Sequence, residues 1–424
     1  MQLPRFGEIE QQLYSRQVSD IAEEAAKACA SAGLPAQIRP GHRVGVTVGS
    51  RGIANIADIT RAVVAVVKAA GGRPFIIPSM GSHGGATPSG QTAVLASLGV
   101  TARSVGAPIR ASMAVARLGE TTHRVPVFVS REALEADGVI LMNRIKQHTD
   151  YIGDYESGLV KMFAVGLGKR HGAAAMHSRR CASLCEDVPE AAAMMLRRLK
   201  VIAGLAILEN GCNETARIVG ISPAEIFSRE KQLLRRVRRT AARLPFGHID
   251  LLIVDWIGKD ISGIGMDTHV LARRMQWEEP EFRGVRIQLV AALDLTEASH
   301  GNPLGVGLAD LTTDRLIRKV DMEALKTNVL HTGWLNRAKL PLSFANDRDL
   351  LRAAMIALGD PDPRRVRIVR LRDTLHLGRM LVSEGLLAEA NRQAGVRLLG
   401  ERERMAFDRS GNLHPYLTYP PGAR

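Results

Sequence analysis

Three short runs of nearly unbroken apolar residues, RVGVTVG (43–49), RPFIIPSMG (73–81) and DGVILMN (137–143), each lead into a polar or glycine-rich segment. Runs of this length without two-residue alternation read as strands buried on both faces, the pattern of a parallel sheet covered by helices. The segment between the first two, IADITRAVVAVVKAAGG (56–72), carries helical periodicity and a glycine stop. SGQTAVLASLGV (89–100) predicts a second helix, VPVFVS (125–130) a strand and EALEA (132–136) a helical turn. The alternation restarts at HIDLLIVDWIG (248–258) and continues through RGVRIQLVAALDLT (283–296), the helix DRDLLRAAMIALG and a last strand in RRVRIVRLRDT. With 424 residues, two domains are expected, residues 1–244 and 245–424. The expected fold class is α/β: two domains with mainly parallel sheets covered by helices and an active-site cleft between them.

Charges interrupt the amino terminus where a secretory signal needs an apolar core, and no later apolar run has the length of a membrane span. A soluble, cytoplasmic protein is the expectation. Four cysteines, Cys29, Cys181, Cys185 and Cys212, are too few and too scattered for a disulfide framework. Much of the excess behind the net charge of +14 sits in one segment, SREKQLLRRVRRTAARL (228–244). At helical spacing its leucines and valine form one stripe and its arginines the rest, which reads as a solvated helix face. The aromatic interleaving of a single-strand nucleic-acid binder is missing, so nucleic acid is the minor reading.

Polar clusters follow the three strands. GSRGIAN offers Arg51, SMGSHGGATPSG offers His83 and NRIKQHTD offers His148. Arginine binds a carboxylate through paired hydrogen bonds, and imidazole exchanges protons near neutrality. One arginine and two histidines on a common sheet edge would suit a reaction worked from both faces of a carbon. Further on, ESGLVKMFAVGLGK supplies Ser157, Lys161, Gly166, Gly168 and Lys169. Its GLGK reads as a phosphate cradle or as a tight turn, because the spacing of a nucleotide-binding loop is absent. His177, Cys181 and Cys185 share a helix face, which admits a transition-metal site or buried structural thiols. In DWIGKDISGIGMDTH (255–269), Lys259 and Asp260 either reach a cleft or pin a glycine-rich loop.

In their order, SMGSHGGATPSG, NRIKQHTD, ESGLVKMFAVGLGK, MH and GKDISGIGMD resemble the lactate racemase family, as a divergent relative. The resemblance implies a racemase or epimerase that inverts carbon 2 of a 2-hydroxy acid by hydride transfer to and from a nickel-pincer nucleotide. That cofactor is nickel with a pyridinium-3-thioamide-5-thiocarboxylic acid mononucleotide. Carried over residue by residue, His83 and His148 become the acid/base pair, and Arg51 and Lys259 become substrate contacts. Lys161 becomes the covalent tether and His177 the nickel ligand, with Ser157, Gly166, Gly168 and Lys169 around the cofactor phosphate. Cofactor-synthesis enzymes are implied as transient partners. GSRGI stands where lactate racemases carry an aspartate, threonine, arginine and proline run, and Glu156 and Ser157 stand where a glycine pair is usual; both departures point to a substrate other than lactate. The alternative is a dehydrogenase or lyase acting on a small carboxylate with a dissociable nucleotide held by GLGK.

Overall fold

The structure is a computed structural model that describes residues 3–50, 52–276 and 281–416. Arg51 lies outside the described residues. The chain forms two compact units, Tyr14–Ala241 and a second assembled from Met1–Leu13 with Ala242–Arg424.

The amino-terminal strand β1 (Arg5–Gln11) belongs to the second unit, which differs from the expected grouping of residues 1–244. The first unit then supplies β2 (Arg43–Val48), β3 (Arg73–Pro78), β4 (Val115–Glu120), β5 (Pro126–Ser130), β6 (Gly138–Arg144), β7 (Val201–Glu209) and β8 (Thr215–Ile221). Its main sheet has the order β3-β2-β6-β7-β8. The pairs β2–β3, β2–β6 and β6–β7 are parallel, and β8 runs antiparallel to β7. Val44, Val46 and Val48 on one face of β2 and Thr47 on the other are all fully buried, as a strand covered on both faces requires. The helix Ile56–Ala69 covers one face with Ile56, Ile59, Val63 and Val67. Its spacing of three, four and four residues makes a single apolar stripe, and each such side chain contributes about 1.5–3 kcal/mol when buried.

VPVFVS does form a strand, β5, but outside the parallel sheet. It pairs antiparallel with β4 in a separate two-stranded ribbon. Val127 and Val129 alternate inward, and the proline at the strand start is compatible with such an edge position.

The second unit holds β9 (His248–Ile257), β10 (Arg286–Leu295), β11 (Leu311–Thr313), β12 (Leu342–Phe344), β13 (Ile368–Leu371), β14 (Arg379–Ser383) and β15 (Val396–Arg404). Its eight-stranded sheet has the order β12-β11-β10-β9-β13-β14-β1-β15. The first five are parallel; β14, β1 and β15 are added antiparallel. RRVRIVRLRDT therefore supplies β13, and two more strands follow it. The fold is α/β, with two mixed, mostly parallel sheets covered by helices. Among the described residues no helix is long and apolar enough to cross a membrane.

Candidate functional site

In the first unit the chain runs from β2 to β3 on one side and from β6 to β7 on the other. The β2/β6 junction is thus the point where the strand order reverses, and open α/β sheets bind ligands outside the carboxyl ends of the strands there. The two strands also part at this place. Their ladder extends from Val44–Gly138 to Val46–Ile140, and beyond it the Thr47 hydroxyl accepts the Met142 N–H at 3.0 Å. The buried threonine keeps that amide paired while the backbones separate.

The segments leaving β2, β3 and β6 meet at this edge. A Cβ added to Gly49 would lie 3.3 Å from Met162 Cε, 3.8 Å from Asn143 Oδ1 and 4.0 Å from the Ser79 carbonyl oxygen. Asn143 Nδ2 in turn donates to the Gly158 carbonyl at 2.8 Å. Ser50, at the end of β2, hydrogen-bonds His83 Nδ1, so the clusters after β2 and β3 touch through their functional side chains. Glu209 of β7 accepts the Ala54 N–H at 2.9 Å and pairs with Arg144, tying the segment at Ala54 to the ends of β6 and β7.

His148 is held more closely. Its backbone N–H donates to Glu156 Oε2 at 2.7 Å, and its Nδ1 accepts the Asp150 N–H at 3.1 Å. Its ring packs on Tyr151 with centroids 4.6 Å apart, and its Nε2 contacts Lys161 Nζ. The structure thus brings His148 and Lys161 together. Glu156 is the centre of the loop: it is buried, also accepts the Gly153 N–H at 3.2 Å, and forms an ion pair with Arg238. Ser157 exchanges two backbone hydrogen bonds with Lys146.

Lys161 ends a short helical turn, Leu159–Lys161, capped by Glu230, whose Oε2 accepts the Val160 N–H at 2.9 Å. Burial pushes the Glu230 carboxyl up to about 7, against the opposing pull of the Val160 and Leu159 amides. A π-helical turn, Met162–Leu167, follows, a feature frequent at functional sites. Gly166 and Gly168 are packing glycines here. A Cβ on Gly166 would come within 2.8 Å of the Ser79 carbonyl, and one on Gly168 would fall on the Ala164 carbonyl. Gly166 lets the turn lie against the segment leaving β3, and Gly168 lets it close on itself beside Phe128 of β5.

Lys169 departs from the phosphate-binding expectation. It is fully buried at a φ of +54°, and Nζ donates to the Pro78 carbonyl and, at 3.2 Å, to Gln91 Oε1. Burial lowers its ammonium to about 8. Gln91 then donates to the Gly81 carbonyl at 2.9 Å, so Lys169 clamps the loop carrying His83 from beneath.

His177 caps the helix Lys169–Met176, and its Nδ1 donates to the Ala173 carbonyl at 2.6 Å. That bond fixes the tautomer with the lone pair on Nε2, the form that ligates metals. Cys181 and Cys185 turn toward the Asp150 and Ile152 carbonyls at 3.5 and 3.9 Å. They back the His148 loop, and among the described residues no group of three or more histidine, cysteine or acidic side chains could hold a metal ion. Lys259 lies in the second unit, where its Nζ donates to the Gly263 carbonyl at 3.1 Å and to Asn328 at 3.5 Å.

Glu230 and Arg238 escape a motif reading. Both lie on the helix Ile226–Thr240, at the same i, i+3, i+4, i+7, i+8 positions as Leu233, Leu234 and Val237. Charged residues on an apolar stripe are the signal, since a solvated face has no reason to place them there.

Residues 9–185 match the family model described as lactate racemase N-terminal domain. No curated protein matches. Among solved structures, a protein from Thermotoga maritima is similar at 13% identity with a TM-score of 0.46, covering 66% of this chain and 72% of that one. The lactate racemase apoprotein from Thermoanaerobacterium thermosaccharolyticum is similar at 9% identity with a TM-score of 0.44, covering 67% of this chain and 69% of that one. Residues 9–185, the span of the family match, contain the strand-end clusters and Lys161.

Proposed function

We propose that this protein is a racemase or epimerase of a 2-hydroxy acid that works with a nickel-pincer nucleotide. The observation that carries the reading is the β2/β6 switch point, where the loop bearing His83 and the His148–Lys161 pair stand at one sheet edge. Its residues suit the group on two counts. Lys161 presents an amine where a tether would form, and His177 is held in the tautomer that offers Nε2 to a metal. A metal whose remaining donors come from the nucleotide needs only that one protein ligand.

When bound, the group supplies the acceptor and donor of hydride, chemistry that protein side chains lack. The chain's own residues do the rest. Arg51 binds the substrate carboxylate. His83, oriented by Ser50, and His148, oriented by Asp150 and Glu156, exchange the hydroxyl proton. Ser157 and the packed turn at Gly166 and Gly168 set the height of Lys161 above the strand ends. Lys169 supports that turn from below.

The test is the intact mass and nickel content of protein made in a host that has the cofactor pathway. The expected result is a mass increment on the peptide containing Lys161 together with nickel near one equivalent. An unmodified Lys161 and no nickel would refute the cofactor assignment.

A further inference from the structure

We propose that His148 holds Lys161 as a neutral amine, which makes Lys161 a nucleophile for an acyl or thioacyl carbon that carries a leaving group. The inference deepens the tether reading above and rests on it for the identity of the group attached. The reactivity itself is a property of the bare chain.

The geometry carries the argument. Lys161 Nζ and His148 Nε2 are in direct contact. Two basic nitrogens meet in a hydrogen bond only if one is a donor and the other an acceptor, so the pair is not doubly protonated. The ring's other nitrogen decides between them. Nδ1 accepts the Asp150 N–H at 3.1 Å, which places the proton of a neutral ring on Nε2. That N–H faces Nζ, and an amine that accepts it has its lone pair and no net charge.

The ring is not at liberty to turn away. Glu156 Oε2 holds the His148 backbone N–H at 2.7 Å, and Tyr151 lies under the ring.

Charged groups around the pair come from several elements. The Asp150 carboxylate is 3.9 Å from Nδ1 and favours a protonated ring. Glu156 faces the same loop but is neutralised by Arg238 of the arginine helix. Glu230 of that helix is committed to the Val160 amide, and the Tyr151 ring centre is 5.9 Å from Nζ. Of these only Asp150 acts directly on the ring, and its backbone N–H is what occupies Nδ1.

In the acylation, Nζ attacks the carbonyl or thiocarbonyl carbon. A C–N bond forms and the bond to the leaving group breaks. The leaving group takes the electron pair and the surplus amine proton, with no oxidant or reductant needed. The acylated nitrogen is no longer basic, so His148 is released from Lys161 for proton exchange with a substrate. One histidine thus serves attachment first and turnover afterwards.

The experiment uses the full chain made without the cofactor pathway, pulsed with limiting N-acetoxysuccinimide from pH 6 to 10. Acetylation of Lys161 is read by peptide mass spectrometry against the exposed Lys200 and Lys339. Each unit below the ordinary lysine value of about 10.4 raises the neutral fraction at pH 7 by about tenfold. Lys161, though half-buried, is expected to react at least about tenfold faster than the references at pH 7. His148→Phe, which keeps a ring over Tyr151 but has no donor, is expected to return Lys161 to the reference rate. His148→Asn, too short to reach Nζ, gives the same reading should the phenylalanine variant not fold. Equal rates for Lys161 and the references in the unaltered chain would overturn the proposal, as would an advantage that survives loss of His148. Either failure leaves the nickel and intact-mass result standing, so the two readings fail separately.

Discussion

Glu156 and Arg238 share an ion pair in which the carboxylate is completely buried while the guanidinium keeps 29% of its side-chain exposure. Removing either partner is therefore not equivalent. Arg238→Met strands a buried charge and is expected to cost about 3 kcal/mol, whereas Glu156→Gln leaves a cation that water still reaches and is expected to cost about 1 kcal/mol. Urea denaturation of both variants checks the asymmetry. Glu230 gives a pH signature of its own. Folded, it keeps its proton up to about pH 7, because burial disfavours the charge. Unfolded, it releases the proton in the ordinary carboxylate range, so the folded state binds more protons across that window. Stability accordingly falls as pH rises through the window, by about 3 kcal/mol in all, and this contribution is constant above it. Glu230→Gln is expected to remove that slope, read as a smaller difference between urea midpoints at pH 5 and pH 8.5. Glu230 and Arg238 both stand in a helix whose arginines dominate a first reading of the chain. The local pattern marks which positions face inward, but the turn and loop they face are 70 and 82 residues away in sequence.

At the scale of elements, the stretch from Gly158 to Met176 works as one bent piece: a helical turn, a π turn and a helix that restarts at the left-handed Lys169. Its path is set by contacts that tolerate no side chain. Gly168→Ala would drive a methyl group into the Ala164 carbonyl and is expected to cost about 1–3 kcal/mol in thermal or urea unfolding. Gly247→Ala, with nothing near its added Cβ, is the control and should change stability by less than about 0.5 kcal/mol. The glycines and lysine of GLGK invite a phosphate reading because composition alone does not distinguish an amide cradle from a tight crossing. What separates them is the neighbour: the end of β3 and Gln91 occupy the space that a phosphate would need around Lys169. By contrast, the apolar runs at 43–49, 73–81 and 137–143 are readable from the chain, because a strand buried on both faces advertises itself locally. VPVFVS advertised a strand equally well but could not name its partner, and it pairs in a ribbon rather than in the sheet.

Across the whole molecule, β1 has the largest consequence for its length. It is an interior strand, paired with β14 on one side and β15 on the other, and it buries Phe6 and Ile9. Ile9→Ala is expected to cost about 2–4 kcal/mol. Limited proteolysis followed by mass spectrometry should then show faster cleavage between β14 and β15, with the helix Ile56–Ala69 of the other unit unaffected. The amino-acid sequence by itself determined the α/β class, the strands that carry the chemical clusters, and the match of residues 9–185 to the lactate racemase N-terminal domain model. These rest on periodicity and on residue types a few positions apart, which are properties of the chain alone. Tertiary structure alone decided that β1 completes the distant sheet, that Lys169 is a buried clamp, and that Glu230 and Arg238 hold the turn and loop of Lys161 and His148. Each of those depends on which surface fills a given space or pairs a given charge, and that is settled only when segments remote in sequence pack together.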